Sequence, residues 1–306
     1  MNAVALPKIA TAYNTVGVYD QDALNTTVLA LPALATAYDT VGVYDQDAIN
    51  GFSDDLLTRL LDLVHPEPGA HILDAMAGNG NLTARLYAYC ARRGLVPPDV
   101  TLLEFSRVQC ALAQAHLAAT PTTVVWGNIL TMEDYAHNAV VPDRQFDRVM
   151  LKSGNHEIPL AQQLAMYQSI FRVLKPGGLF VNLGFLFDDV EERDQFRDIA
   201  RCKDSLAGMH SAVDNRHFLT RDELYSRLQQ AGFVDIRCGM PVPYTIRSLV
   251  VTNAYFPKDQ RDDMHAEFQA QQVKALHLRR QGRIQFQGDS STMRLPGEIT
   301  LARRPL

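Results

Sequence analysis

The chain has 306 residues, enough for one large α/β domain with appendages or for two small domains. Hydrophobic residues make up 47% of it, so it can bury a full core, and its net charge of −5 disfavours a uniformly basic surface for binding nucleic acid. The four cysteines are far apart and form no CxxC pair, which suggests neither a zinc site nor a disulfide framework. No apolar run reaches the roughly 18–20 residues of a membrane span, and the N-terminus makes a poor signal peptide, so we expect a cytoplasmic protein.

An internal repeat opens the sequence. Residues 6–25 and 31–50 are identical at sixteen of twenty aligned positions. Two copies are too few for a solenoid, which needs at least about three stacked units, so we interpret residues 1–52 as a duplicated, helical N-terminal extension. The second copy runs straight into the main domain, predicted over residues 53–306, and is therefore the better candidate for a functional position.

Apolar strand patterns alternate with helical patterns through most of the main domain. A helix capped by Ser53 comes first. Seven strands are then predicted, and they begin at or near His71, Val100, Thr122, Phe146, Leu179, Phe233 and Gly297. Repeated strand–helix units predict an α/β fold with a doubly wound, mostly parallel sheet of seven strands. Residues 241–296, before the last strand, break this rhythm; we expect a helical insertion there, with a helix over about 258–281, that acts as a lid, a partner surface or a plain surface excursion.

The strongest chemical signal is ILDAMAGNGNLT, residues 72–83. A strand feeds a glycine-containing turn that opens a helix, and such a turn lets the backbone approach a ligand beyond the carboxyl ends of the strands. The turn is neither a GxGxxG dinucleotide motif nor a P-loop. Glu104, at the end of the second strand, supplies a carboxylate that can accept both hydroxyls of a ribose. The sequence therefore predicts a nucleoside-binding site.

These motifs, taken in order, resemble those of the class I methyltransferases that bind S-adenosylmethionine. The resemblance covers about residues 53–237 and the last strand. It rests on five segments at compatible spacing: ILDAMAGNG, LLEF, VVWGNIL, FDRVMLKSGNHEI and LKPGGLFV. It implies S-adenosylmethionine as the cofactor and is closest to the small-molecule enzymes of the ubiquinone/menaquinone and natural-product type. Met76 departs from the family, which usually has Gly there, and Asn128 stands where the family often has Asp.

The resemblance also implies which residues surround the cofactor. They are Asp74, Ala77, Gly78, Gly80, Glu104, Phe105, Asn128, Ile129 and Lys152. Asp74 is implied near the methionine end, Glu104 at the ribose, and Lys152 next to the methyl-transfer centre. Phe105 is expected against the adenine ring, whose edge the side chain of Asn128 and the backbone N–H of Ile129 would read. Tyr38 and Tyr44, from the second repeat copy, are expected to close over the cofactor; the alternative is that they face solvent.

The acceptor side is less clearly marked. His156, after the fourth strand, is the candidate general base, and Glu157 is expected to orient it or to bind substrate. The alternative is that His156 caps or packs under the following helix. Arg216 and His217 are the candidates for contacting the acceptor. We predict no metal site, because His210 and His217 lack a third ligand at convincing spacing.

The sequence thus predicts methyl transfer to an O, N or C atom of a small metabolite. No nucleic acid or membrane partner is expected, and a homodimer through the extension or the insertion is an open expectation. The segment KSGN does not match the [DNS]PP[YF] motif of DNA amino-group methyltransferases. A nucleic-acid or protein methyltransferase, or a non-catalytic binding or scaffold protein on the same fold, remain the alternatives.

Overall fold

The computed structural model describes residues 46–306. Its strands are β1 (His71–Ala75), β2 (Asp99–Glu104), β3 (Thr122–Asn128), β4 (Glu133–Asp134), β5 (Ala139–Val140), β6 (Phe146–Lys152), β7 (Leu174–Phe185), β8 (Val234–Pro241), β9 (Tyr244–Arg247), β10 (Ile284–Gln287), β11 (Ser290–Leu295) and β12 (Gly297–Arg303). Its helices are α1 (Gln46–Asn50), α2 (Asp54–Val64), α3 (Asn81–Arg93), α4 (Arg107–His116), α5 (Leu160–Val173), α6 (Val190–Leu206), α7 (His210–Asn215), α8 (Arg221–Gln230), α9 (Ser248–Tyr255), α10 (Arg261–Lys274) and α11 (Leu276–Arg280).

A nine-stranded sheet in the order β5-β4-β3-β2-β1-β6-β7-β12-β8 forms the centre of the molecule. β3, β2, β1, β6 and β7 pair in parallel, and β12 runs antiparallel to both of its neighbours. The predicted doubly wound, mostly parallel sheet of seven strands is confirmed. β4 and β5 add a short antiparallel ribbon at one edge, which the sequence reading did not include.

Helices cover both faces of this sheet because its central strands are apolar on both sides. Successive residues of β1 show the division: Ile72 packs in one core with Leu60 of α2, whereas Leu73 packs in a second core with Ile170 of α5. Ser53 begins α2 as expected, since its hydroxyl accepts the N–H of Leu56 at 3.2 Å. The two cores therefore fix the sheet between helical layers.

The insertion between β8 and β12 contains more than the single helix expected there. The helix predicted over about 258–281 is two helices, α10 and α11, with Ala275 between them in a non-helical conformation. α9 precedes them, and β9, β11 and β10 form a separate antiparallel sheet. Apolar and polar residues alternate in β9 and β10, but each strand has only 4 residues, which is too short a stretch for the alternation to stand out in the sequence.

Two further helices, α6 and α7, lie between the fifth and sixth predicted strands and were also missed. α1 is the end of the second repeat copy, while Tyr38, Tyr44 and the first copy lie outside the described residues. Within residues 46–306, no helix combines the length and the apolar character needed to cross a membrane.

We expect Gly80→Ala to destabilise the fold more than Gly69→Ala. Both glycines have positive φ, 79° and 75°, so each replacement costs about 1 kcal/mol in backbone strain. A Cβ at Gly80 would also lie 2.7 Å from the buried side chain of Leu117, whereas nothing lies within 4 Å at Gly69. This crowding should add about 1–2 kcal/mol. Urea unfolding of both variants measures the difference, and equal losses would contradict the tight packing at Gly80.

Candidate functional site

The site lies where the carboxyl ends of the parallel strands meet. β1 pairs with β2 on one side and with β6 on the other, so the chain order reverses around it. This pairing brings Asp74, Glu104 and Lys152 to the same edge of the sheet. A switch of this kind is where open α/β sheets bind ligands.

The turn after β1 adopts a backbone that favours glycine. Gly78 and Gly80 have φ of 56° and 79°, and Met76 has φ of 55° although it carries a side chain. Ala77, between them, donates its N–H to the oxygen of Leu103 on β2 at 3.2 Å. The turn is thereby fastened to the neighbouring strand, and α3 begins immediately after it.

Glu104 is held in position by two backbone N–H groups. Gly78 donates to one carboxylate oxygen at 2.9 Å, and Ser106 donates to the other at 2.7 Å. A Cβ built on Gly78 would meet only Gln109, at 3.9 Å, so the outer face of the turn is open. Each carboxylate oxygen has a further lone pair, and together they can accept a pair of neighbouring hydroxyls. The residues present therefore fit a ribose at this edge.

Met76 occupies space that a glycine would leave open. Its side chain packs against Gly154, in the loop after β6, where a Cβ would lie 2.9 Å from the Met76 sulfur. The left-handed backbone of Met76 costs about 1 kcal/mol. Contact with Gly154 and the second core offsets part of that cost. The departure from the family pattern is therefore accommodated by a glycine on the facing loop.

Asp74 is fully buried at the end of β1 and accepts a hydrogen bond from the hydroxyl of Thr83 at 2.6 Å. Burial raises the pKa of Asp74 to about 7, because removal from water disfavours the ionised carboxyl. The Thr83 hydrogen bond and the charge of Lys152 oppose that rise. Near neutral pH this carboxyl is therefore only partly ionised, and a cation placed beside it would favour its ionised form.

An aromatic group lies beyond Glu104. Trp126 donates its ring N–H to the backbone oxygen of Phe105 at 2.8 Å, and the rings of both residues meet Tyr135 edge-on. Arg107 stacks over Trp126, with its guanidinium carbon 4.0 Å from the ring centroid. Phe105 is half-buried and partly open to solvent. This edge can receive a flat base.

Asn128 ends β3 and is almost fully buried, as is Ile129 after it. The side-chain oxygen of Asn128 accepts the N–H of Leu130 at 2.9 Å, so it already serves the turn. A carbonyl oxygen has a second lone pair, and the reading of an adenine edge by Asn128 and Ile129 stays a prediction.

Lys152, at the end of β6, forms an ion pair with Asp47 of α1. Asp47 is buried, and its other oxygen lies 3.6 Å from Arg85 on α3. One carboxylate thus links the second repeat copy both to the strand end and to the helix after the glycine turn. These ion pairs hold α1 against the strand ends that form the candidate site.

A mostly apolar cavity of ≈ 80 Å³ begins at Ser153, the residue after Lys152. Four parts of the chain line it: α1, the strand ends, α6 with the segment before α8, and the insertion. Its lining consists of Ile49, Asn50, Ser153, His156, Phe185, Phe196, Ile199, Ala200, Lys203, Arg216, Phe218, Ile246, Val251, Tyr255, Phe268 and Met293. The insertion therefore forms one wall of a pocket.

His156 is part of this wall and is only 5% exposed. Its ring stacks on Phe218, with centroids 5.1 Å apart, and meets Phe185 edge-on at 5.6 Å. Burial, together with the charges of Arg216 and Lys203, holds its pKa well below the usual value, so the ring is neutral at physiological pH. A base with so low a pKa removes protons poorly, although it still forms hydrogen bonds.

The other acceptor candidates divide between the cavity and its surroundings. Arg216 lines the cavity and is paired with buried Asp204 at 2.9 Å. His217 is not among the lining residues; its pKa is lowered by burial and by nearby arginines, Arg193 first. Glu157 is half-buried, and its charge acts on Lys203.

Lys203 is a site residue that the sequence reading did not name. It follows Phe196, Ile199 and Ala200 at spacings of seven, four and three along α6, so it continues an apolar helical stripe. Lysines are rarely buried unless they are paired, so a lysine at an apolar position of a helix is the sequence signal that could have identified Lys203. The aromatic cavity residues carry no comparable signal, since Phe185, Phe218 and Phe268 read as ordinary core.

A glycine turn open to ligand, an anchored carboxylate and an adjoining pocket together define a nucleoside-cofactor site on a doubly wound domain. A family profile described as a methyltransferase domain matches residues 72–178. The chain is 30% identical over 177 residues to a 24-methylenesterol C-methyltransferase of Arabidopsis thaliana, covering 54% of this chain and 45% of that protein. It is 25% identical over 178 residues to a ubiquinone/menaquinone biosynthesis C-methyltransferase of Coxiella burnetii, covering 55% of this chain and 68% of that protein. The chain spans about half the length of the sterol methyltransferases it matches.

Solved structures share the fold. A putative methyltransferase from Bacillus halodurans superposes with a TM-score of 0.63 at 14% identity, covering 82% of this chain and 99% of that one. A phosphoethanolamine N-methyltransferase from Haemonchus contortus, solved with S-adenosylhomocysteine, has a TM-score of 0.55 at 15% identity, covering 94% and 61%. The profile match and these similarities support the class I, S-adenosylmethionine-dependent methyltransferase domain that the sequence motifs indicated.

Asp74 should make folding stability depend on pH. Its pKa is raised from 3.8 to about 7, so across that interval the folded chain keeps a proton that the unfolded chain has released. Its contribution to stability is present at low pH and is lost as pH rises towards 7, at no more than about 1.4 kcal/mol per pH unit. Asp74→Asn should remove this slope in urea unfolding between pH 4 and 7.

Asp55→Asn is the matched control, because the Asp55 carboxylate is exposed on α2. That variant should keep the slope of the parent protein. A slope that Asp74→Asn leaves unchanged would show that Asp74 is ionised in the folded state.

Proposed function

We propose that this protein transfers the methyl group of S-adenosylmethionine to a small molecule bound in the cavity beside β6. The observation that carries the proposal is the position of that cavity. It begins at Ser153, next to Lys152, at the sheet edge that also presents Gly78 and Glu104. A cofactor lying across this edge would have its reactive end at the mouth of the pocket.

The chain's own residues supply binding and alignment. Glu104 would accept the ribose hydroxyls, and the aromatic edge at Phe105 would cover the base. Asp74 would face the cationic end of the cofactor, whose sulfonium supplies an already electrophilic methyl carbon. The buried walls of the cavity would exclude water and orient the acceptor in line with that carbon.

The low pKa of His156 makes it a poor general base, so we give it a different role from the one predicted from the sequence. In the cavity wall it would direct the acceptor through a hydrogen bond, with the acceptor bringing its own reactive electron pair. The proposal also includes contacts of the cofactor with Asn128, Ile129, Tyr38 and Tyr44. The relatives named above are a 24-methylenesterol C-methyltransferase and a C-methyltransferase of ubiquinone/menaquinone biosynthesis, and this supports a small-molecule acceptor here.

A small molecule suits the cavity better than a polymer. The insertion, α6 and α1 all contribute lining residues, and the volume of ≈ 80 Å³ suits a small molecule rather than a length of polymer. We further propose that the protein works in the cytoplasm without nucleic acid or membrane as substrate. The four free cysteines support a reducing compartment.

Calorimetric titration with S-adenosylhomocysteine tests the cofactor site. Glu104→Gln keeps one acceptor oxygen and should weaken binding about tenfold, whereas Glu104→Ala should weaken it about a hundredfold, because charge-assisted hydrogen bonds are lost. Glu67→Ala, at a carboxylate paired with Arg148 away from the site, should leave binding unchanged. If the parent protein does not bind, the fold serves as a non-catalytic scaffold and the proposed activity is wrong.

A further inference from the structure

The end of the insertion exposes apolar and cationic side chains side by side. We call this surface the basic apolar patch, and its members are Val273, Lys274, Leu276, Arg279, Arg280 and Phe286. Its three apolar residues are 46%, 52% and 39% exposed, in chain order. Single exposed apolar residues are ordinary, but apolar residues that adjoin one another within a polar rim are typical of an interaction surface.

Arg279 connects the members of the patch. Its guanidinium donates a hydrogen bond to the backbone oxygen of Val273 at 2.8 Å, and its carbon lies 5.7 Å from the ring centroid of Phe286. Leu276 precedes Arg279 by three residues and Arg280 by four on α11, so these three side chains share one face of the helix. The patch is therefore continuous across α10, α11 and β10.

The opposite face of the same segment belongs to the core. Gln272, Ala275 and Leu278 are buried and follow one another at a spacing of three residues. The positions between them are consequently directed outward, and packing inside the insertion fixes this orientation. Exposure of the patch thus follows from how α10 and α11 pack.

The patch is positively charged although the whole chain is not. Lys274, Arg279 and Arg280 form no ion pair with an acid of residues 46–306, and residues 268–288 include no Asp or Glu. The acids at the start of α6 pair with other cations, such as Glu192 with Arg283. With a net charge of −5 over the chain, this local positive charge is segregated onto one surface.

The elements that carry the patch also form a wall of the cavity. Phe268 of α10 lines the cavity and lies five residues before Val273, about 7.5 Å along the helix axis. Met293 of β11 also lines it and is paired with Ile284 of β10, the strand that carries Phe286. A partner bound to the patch would therefore lie against the outer side of the pocket wall.

We propose that the basic apolar patch docks this protein reversibly on an anionic lipid surface. Negatively charged headgroups would attract the three cations, and the exposed apolar side chains would enter the interface between headgroups and acyl chains. Aliphatic side chains contribute nothing to binding the phosphates of a nucleic acid, so the composition of the patch favours lipid.

The membrane is a docking surface in this proposal and not a substrate. The sequence expectation of no membrane partner depended on the absence of a long apolar run, which a surface assembled from α10, α11 and β10 does not require. Docking does not use the cofactor site, so this inference goes beyond the proposed methyl transfer and is independent of it.

Flotation of the full chain with vesicles tests the proposal. Vesicles of phosphatidylcholine with about one-third phosphatidylserine should bind at least about tenfold more tightly than vesicles of phosphatidylcholine alone, because each cation near an anionic surface contributes about fivefold. Lys274→Gln, Arg279→Gln and Arg280→Gln combined should remove that preference. Leu276→Ser should weaken binding to the mixed vesicles about fivefold and keep the preference, since it removes apolar contact and no charge.

Arg92→Gln, Arg237→Gln and Lys258→Gln combined form the matched control. These three residues are exposed outside the patch, and their replacement changes the net charge by the same amount. The control variant should bind both kinds of vesicle as the parent protein does. Equal urea unfolding midpoints for the parent and the variants would show that the fold is intact.

The inference is overturned if the parent protein binds neither kind of vesicle, if it binds both equally, or if the patch variant binds as tightly as the control variant. It is also overturned if Leu276→Ser binds the mixed vesicles as tightly as the parent, because the patch would then be a surface for any polyanion, nucleic acid included. Should the combined patch variant fail to fold, the vesicle comparison and Leu276→Ser decide the outcome.

Discussion

The pairing of β1 between β2 and β6 is the constraint on which the rest of the structure depends. Because the three strands are parallel, their carboxyl ends share one edge, and each chain segment leaving that edge contributes a different part of the site. The glycine turn follows β1, the anchored carboxylate of Glu104 ends β2, and the loop leading to His156 follows β6. No side-chain interaction could assemble these groups if the order of the strands were different.

Buried ion pairs connect helices α1 and α6 to other parts of the candidate site. Asp47 connects α1 to Lys152 and Arg85. Asp204, on α6, pairs with its neighbour Lys203 and connects α6 directly to Arg216. Each carboxylate is buried and serves two cations, so each joint is specific in geometry and costly to break. The first ion-pair group lies beside the strand ends, and the second lies beside the cavity. The end of the second repeat copy and α6 thereby become parts of the candidate site.

Burial changes the chemistry expected of individual residues. From the sequence, His156 has the type and position of a general base, yet its surroundings hold it neutral with Nδ1 unsatisfied. Asp74, which the family resemblance implies at the methionine end of the cofactor, is buried deeply enough for its pKa to approach neutrality. Both effects arise from the loss of water around the side chain, a quantity that neighbouring residues in sequence do not fix.

The sequence by itself determined the parallel sheet, the glycine turn and Glu104, because strand periodicity and a strand–turn–helix motif are local patterns. It also named Arg216, which lines the cavity, together with His217, which is not among the lining residues. Only the tertiary structure decided that Lys203, Phe185 and the insertion share a cavity, because these residues meet through packing between distant elements. It likewise decided the protonation of His156, since burial is set by what folds over a side chain rather than by what precedes and follows it.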